Sequence, residues 1–227
     1  MSAPHVSVVV AVYNGEATIR AALASLVAQD YEPFDIVVVD DGSTDGTADV
    51  VREFDTVDYV RQENSGPGAA RNAGVARARG TLLAFLDADD EAVPRKLSLQ
   101  ADYLQRNPAV GCVVGRQEVE FVGIEQPAWL QRDAVFGDLA GIGFTTAMIR
   151  RESFEAVGGF DPDRRLQGSE DRDLMVRLRA AGVGIEVLPE VVIRRRFTGS
   201  NLTLRQPSSM LLASLKSKLD REREGAA

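Results

Sequence analysis

Cysteine and histidine are almost missing from these 227 residues: there is one of each, Cys112 and His5. A single cysteine excludes an internal disulfide and any zinc site built on cysteines. A single histidine excludes a metal site made of several imidazoles. His5 lies just before the first strand, a poor place for the centre of a Ser-His-Asp triad, and reads as incidental. Cys112, in "VGCVVG", reads as a small buried hydrophobe. Positive charge is short as well, with 26 Lys and Arg against 34 Asp and Glu and a formal net charge of −8. Nucleic-acid binders carry a basic face, so that class is set aside, although a metal or a few arginines can still hold an anion locally. No run approaches the ~20 apolar residues of a membrane-crossing helix. The N-terminus shows no basic segment followed by an apolar core and a cleavage site, so the expected location is the cytoplasm. What remains is ordinary for a globular chain: 44% hydrophobic and 26% charged residues. The length suits one large domain with its own core, or at most two small ones.

Along the chain, "VSVVVAVYN" is a continuous β-branched run and predicts a strand buried on both faces. "GEATIRAALASLVAQ" places Ile19, Leu23, Leu26 and Val27 at helical spacing. "FDIVVVDDGST" is a second buried strand ending in acids, "DGTADVVREF" a helix and "VDYVRQ" a weaker strand. "GPGAARNAGVARARG" is a helix with a glycine-rich entry and Gly80 as its stop, and "TLLAFLDADD" is a fourth strand. Strand and helix alternate to about residue 90, which predicts a mostly parallel α/β sheet with helices on both faces. Ligands in such sheets bind at the carboxyl ends of the strands. Those ends carry Tyr13 and Asn14, then Asp40 and Asp41, then Asp87 and Asp89.

From "VPRKLSLQADYLQRNP", a helix, the pattern changes. "VGCVVGRQEVEFVG" reads as one or two strands, "FTTAMIRRESFEAVGGF" as a short strand into a helix, and "SEDRDLMVRLRAAG" as a helix with Ser169 as its cap. "IEVLPEVVIRRRF" is strand-like, and a last helix from about 205 carries an apolar stripe through Met210, Leu211, Leu215 and Leu219. That stripe packs on the body, on a second copy, or on a partner or membrane surface. The organisation expected is one domain over 1–227: a nucleotide-binding half (1–106), an acceptor and catalytic half (107–204) and the C-terminal helix (205–227).

Several groups can carry chemistry. "GPGAAR" begins like a dinucleotide fingerprint, but Arg71 stands where the last glycine belongs, and no G-K-[ST] is present. At Asp40 and Asp41 an aspartate can accept hydrogen bonds from a base or ribose; alternatively Asp41 or Ser43 caps the following helix. In "LDADD" the alternation of side chains along a strand puts Asp87 and Asp89 on one side. Hard oxygens so placed suit Mg²⁺ or Mn²⁺, which bridge a diphosphate; a solvated acidic turn is the plainer alternative. Glu170 and Asp171 open a helix, and in a chain without a useful histidine a carboxylate is the natural general base. Favourable charge at a helix N-terminus is its plainer alternative. Arg194, Arg195 and Arg196 either bind phosphate or alternate between solvent and the acidic neighbourhood.

Together "VSVVVAVYNG", "VVVDDGSTDGT", "ENSGPGAARNAG", "LLAFLDADD", "GGFDP" and "GSEDRDLMVRL" resemble, in order and over about residues 5–202, the family-two glycosyltransferases of the GT-A fold. The resemblance implies a nucleotide-diphospho-sugar donor, most often a UDP-sugar, with Mn²⁺ or Mg²⁺ as cofactor and inversion by direct displacement. It implies Tyr13 along the nucleobase, Asp41 on the base with Asp40 assisting, and Ala11, Asn14, Arg71, Asn72, Ala88 and Arg196 among the donor contacts. It further implies that Asp87 touches ribose or sugar and joins Asp89, the direct metal ligand, and that Asp171 is the catalytic base, with Glu170 beside it on donor or acceptor sugar. The acceptor, a hydroxyl on a sugar, a lipid-linked carrier or another molecule, is met by residues about 120–145, where Trp129 and Phe136 either stack on a sugar or pack. One position departs: relatives often carry R-R-x-H-G-x-N, and "RRFTGSN" has Thr198 for the histidine. That leaves a second class open, a degenerate module that binds a nucleotide without turnover. A nucleotidyltransferase shares the sheet, but "AVYNGEAT" lacks the basic glycine-rich loop for a triphosphate.

Overall fold

The structure, a computed structural model, describes residues 3–125 and 143–197. Trp129, Phe136, Thr198 and the helix expected from 205 lie outside the described residues.

Three buried strands set the frame: β1 (Val6–Val12), β2 (Phe34–Asp40) and β4 (Leu82–Asp87), with β3 (Val57–Arg61) outside β2. β1 pairs in parallel with β2 and β4, and β2 with β3. Val6, Val8, Val9 and Val10 are fully buried, each burial contributing about 1.5–3 kcal/mol. A sheet covered on both faces requires such continuous apolar runs. Val8 and Val10 meet α1 (Ile19–Val27) and α4 (Lys96–Arg106) through Leu23, Leu26, Leu97 and Leu104. On the other face Val9 shares a core with Val75 of α3 (Pro67–Arg77) and Leu174 and Leu178 of α6 (Glu170–Ala180). α2 is only Thr47–Val51, shorter than "DGTADVVREF" suggests.

α3 lies close to the sheet because Gly74 faces it: a Cβ there would sit 2.4 Å from Val9 Cγ1. The helix is poor in apolar residues, and the absent side chain is what lets it pack tightly.

The second half adds antiparallel strands. β7 (Ala147–Arg150) runs antiparallel to β4 and to β6 (Val110–Phe121), and leads directly into α5 (Arg151–Ala156). β6 pairs in parallel with β8 (Gly184–Phe197). The described sheet has eight strands in the order β3-β2-β1-β4-β7-β6-β8-β5. β5 (Asp90–Ala92) corrects the sequence reading. The fourth strand stops at Asp87, Ala88 and Asp89 form a turn, and Asp90 begins a new strand antiparallel to β8, with Asp90 opposite Arg195. A three-residue strand starting with two acids has no apolar pattern to reveal it. Asp87 and Asp89 are thus brought together by a turn, not by strand alternation. Ser169 is corrected too: its hydroxyl donates to the Leu166 carbonyl at 2.9 Å and makes no capping bond to α6. At the opposite end of the sheet, His5 bonds the Asp35 carboxylate at 2.7 Å, which also accepts from Ser7.

Candidate active site

Register brings the functional strand ends to one rim. Val12 lies opposite Asp40 and Ala11 opposite Asp87, so the chain leaves all three central strands at one level. Beyond that rim opens a cleft of about 680 Å³ lined by residues from both halves of the chain. Of the residues singled out in the sequence, Ala11, Tyr13, Asn14, Asp41, Arg71, Asp87, Ala88, Asp89, Glu170 and Asp171 line it. Tyr13 is 54% exposed, an aromatic face left open at the rim.

The loops after β1 and β2 are clasped together. The Asn14 N–H donates to Ser43 Oγ at 2.9 Å, the Thr44 N–H to Asn14 Oδ1 at 2.8 Å, and the Gly15 N–H to Thr47 Oγ1 at 2.9 Å. Neither acid after β2 caps α2. Asp40 closes its own turn, accepting from the Ser43 N–H and the Tyr59 hydroxyl, each at 2.7 Å. Burial and that bond push the Tyr59 hydroxyl up to about 12. Asp41 accepts from Gln62 Nε2 at 2.7 Å and from the Ser65 and Gly66 amides at 2.8 Å, fixing the loop that enters α3. Gly66 has φ +91°, a backbone state that side chains disfavour.

On the cleft floor, one oxygen from each of Asp87, Asp89 and Asp90 lies within 4.8 Å of the others. Asp90 is 1% exposed, accepts from the Arg196 N–H at 3.2 Å, and its Oδ2 has no hydrogen-bond partner among the described residues. Burial, then the charges of Asp87 and Asp89, push its carboxyl well above the usual range against the pull of Arg195. Crowded carboxylates with a buried unsatisfied oxygen form a hard donor set that fits a divalent cation of the Mg²⁺ or Mn²⁺ kind.

Arg71 joins this floor to the second half. Its guanidinium donates to Asp87 Oδ1 at 2.8 Å, Glu170 Oε1 at 3.0 Å and Asp171 Oδ1 at 3.3 Å, and lies 5.3 Å from the centre of the Phe160 ring. Burial works against its charge, but the three carboxylates outweigh burial and raise its pKa. Glu170 is pushed above the ordinary carboxyl range, by burial first, and its Oε2 has no hydrogen-bond partner among the described residues. Asp171 is more open, with its side chain 23% exposed against 8% for Glu170, and its Oδ2 accepts from the Phe144 N–H at 2.9 Å.

Three residues expected in the site stand outside the cleft lining. Asp40 is fully buried behind Asp41. Asn72 holds the Phe160 backbone from both sides, at 2.7 and 3.0 Å. Arg196 points its guanidinium to Glu91, at 3.3 Å, and Glu120, at 3.7 Å. Arg195 lines the cleft in its place. Burial opposes its charge, but Asp90, Asp87, Asp89 and Asp171 together raise its pKa. The signal for it was present: in "IRRRF", Arg195 shares strand parity with Ile193 and Phe197, both buried.

Residues 7–158 match the profile described as glycosyl transferase family 2, and residues 139–199 that of the N-terminal domain of galactosyltransferase. The chain is 43% identical over 89 residues to glycosyltransferase GlyA of Streptococcus pneumoniae, covering 37% of this chain and 13% of that protein. It is 32% identical over 115 residues to an uncharacterized glycosyltransferase of Haemophilus influenzae, covering 48% of this chain and 46% of that protein. The chain thus spans less than half the length of these relatives. Among solved structures, the mannosyltransferase PcManGT of Pyrobaculum calidifontis, in complex with GDP-Man and Mn²⁺, aligns at TM-score 0.68 and 26% identity, over 85% of this chain and 56% of that one. S. aureus TarS in complex with UDP-GlcNAc aligns at TM-score 0.71 and 22% identity, over 92% of this chain and 64% of that one. These likenesses show the α/β fold that the sequence resemblance implied.

Proposed function

Because the chain belongs to glycosyl transferase family 2, whose profile covers residues 7–158, we propose that it moves a sugar from a nucleotide-diphosphate donor to a hydroxyl acceptor with inversion at the anomeric carbon. The observation that supports this reading most is the convergence, on one cleft, of the carboxylates Asp87 and Asp89 with an acid pair held by Arg71. The mannosyltransferase relative bound to GDP-Man and Mn²⁺ supports a nucleotide-sugar donor and a divalent cation. The family resemblance favours a UDP-sugar as that donor.

Charge argues for the cation. Asp87, Asp89, Asp90, Glu170 and Asp171 surround the floor, with Arg71 and Arg195 as the cations that act on them. A donor diphosphate adds further negative charge, which such a site accepts only with a compensating ion. Asp89, with Asp87, would hold Mn²⁺ or Mg²⁺, which when bound supplies positive charge for the leaving diphosphate. Arg195 takes the anion-facing part first expected of Arg196. Tyr13 offers its open ring to the nucleobase, and Asp41 keeps the neighbouring loop in place.

Asp171 is the general base. It is the more reachable of the acid pair, and Arg71 and the Phe144 amide fix both of its oxygens in orientation. In the reaction the acceptor oxygen bonds the anomeric carbon, and the carbon–phosphate oxygen bond breaks with its electrons leaving on the diphosphate. The hydroxyl proton passes to Asp171. A single displacement leaves no covalent enzyme intermediate, so no side-chain nucleophile is required.

A nucleotide-sugar screen by thermal shift, with and without Mn²⁺, identifies the donor, since a ligand that binds the folded state raises the melting temperature. With that donor, Asp171→Asn abolishes transfer and leaves donor binding intact. Full rate in the variant ends the base assignment. Binding without product across a wide acceptor set identifies a non-catalytic binding module instead.

A further inference from the structure

The Asp171 carboxylate depends on a backbone N–H, that of Phe144, in the short 3-10 turn Phe144–Thr146. Beneath that turn, away from the cleft lining, is Lys96 of α4, which is 0% exposed. Its Nζ donates to the Thr145 carbonyl at 2.9 Å and to Gln100 Oε1 at 3.1 Å. Gln100, one helical turn on and also fully buried, donates through Nε2 to the Thr146 carbonyl at 2.7 Å and the Val113 carbonyl at 3.5 Å. Three consecutive residues are therefore tied: Phe144 to Asp171, Thr145 to Lys96, Thr146 to Gln100.

A buried lysine is an expensive way to satisfy a carbonyl. Among the described residues the ionisable group that acts on it is the Cys112 thiol. A neutral amine has two N–H donors, matching the two acceptors present. Burial pulls the amine down to about 7, consistent with that form.

We propose that Lys96 is a positioning residue for the catalytic base: through Thr145 it holds the turn whose Phe144 N–H orients Asp171. The inference rests on Asp171 being the base, but its geometry can be tested without any donor. Lys96→Met keeps the length of the side chain and removes the donors; Lys96→Gln returns an N–H donor.

The test is amide hydrogen exchange by NMR on the full chain, reading Phe144 against the amide of Val38, in the other core cluster. In the wild type Phe144 is protected. Lys96→Met raises its exchange rate at least about tenfold relative to Val38, a local opening rather than a global one, and moves its proton shift toward that seen in Asp171→Asn. Lys96→Gln restores part of both. The proposal is overturned if Phe144 exchanges freely in the wild type. It is equally overturned if Lys96→Met lowers global stability while the Phe144 shift and relative protection stay unchanged. Calorimetry with UDP and Mn²⁺ runs beside it. Absent binding in the wild type counts against the glycosyl-transfer reading, whereas the Phe144 amide decides the role of Lys96.

Discussion

Asp171 and Glu170 are adjacent acids with different surroundings, and the difference assigns their work. Glu170 is sealed against Arg71 and pushed up by burial, while Asp171 keeps an open side and an oriented carboxylate. The sequence supplies the pair but not this division, which depends on Phe144, 27 positions away in the chain. Arg195 shows the same limit differently: three arginines in a row are legible, while the one facing the cleft follows from strand parity and burial. Lys96 is the residue least visible in the sequence, since a lysine near a helix start reads as a solvated charge. Its burial has a pH consequence. The unfolded chain holds the proton up to 10.5, but the folded chain releases it from about 7. Between those values the unfolded state binds more protons, so this group makes stability rise with pH, and below about 7 its contribution levels off. In the folded chain Cys112, pushed up to about 12, stays protonated through that window, but the unfolded thiol, with its ordinary value of 9.0, releases its proton within it and opposes the rise; the same thiol is present in Lys96→Met, so the comparison with that variant isolates the lysine. Urea unfolding of wild type and Lys96→Met at the two ends of the window checks this. The wild type gains stability relative to the variant toward alkaline pH, and parallel curves contradict a buried neutral amine.

At the scale of elements, β1, β2 and β4 are plain in the sequence because both faces are buried and the apolar runs are unbroken. β5 is not, because its three residues are fixed by pairing with β8 rather than by their own pattern. The turn at Ala88–Asp89 that this pairing creates is what gathers the three aspartates, so the acidic motif was legible and its geometry was not. α3 is a helix whose packing rests on a missing side chain. Gly74→Ala gains about 1 kcal/mol of helix propensity, but the new Cβ would meet Val9 Cγ1 at 2.4 Å inside a rigid strand. Overpacking of that kind costs about 1–3 kcal/mol, so the variant is expected to be less stable in denaturant titration. A more stable variant shows that α3 is free to move off the sheet.

For the molecule as a whole, the parallel strands and the antiparallel addition share one cleft, and Arg71 is the charge that joins them. It bonds Asp87 from one half and Glu170 and Asp171 from the other. Arg71→Met takes the bridging cation from buried Glu170 and from the half-buried Asp87 and Asp171, which keep only the charge of Arg195, a loss expected to cost about 3–5 kcal/mol of folding stability. A change under about 1 kcal/mol in urea unfolding means the halves are held by packing alone. The Phe85, Phe144, Phe154 and Phe160 rings, in edge-on and tilted contact across that junction, give packing its own share.

The acidic floor is tolerable, on this account, because a dication and a diphosphate complete it. Calorimetric titration of UDP into the wild type and Asp89→Ala, each with and without Mn²⁺, measures that directly. Mn²⁺ is predicted to tighten UDP binding to the wild type by at least about tenfold, or about 1.4 kcal/mol, and to leave Asp89→Ala unaffected. UDP affinity that ignores Mn²⁺ in the wild type, or that depends on it equally in both proteins, contradicts the claim.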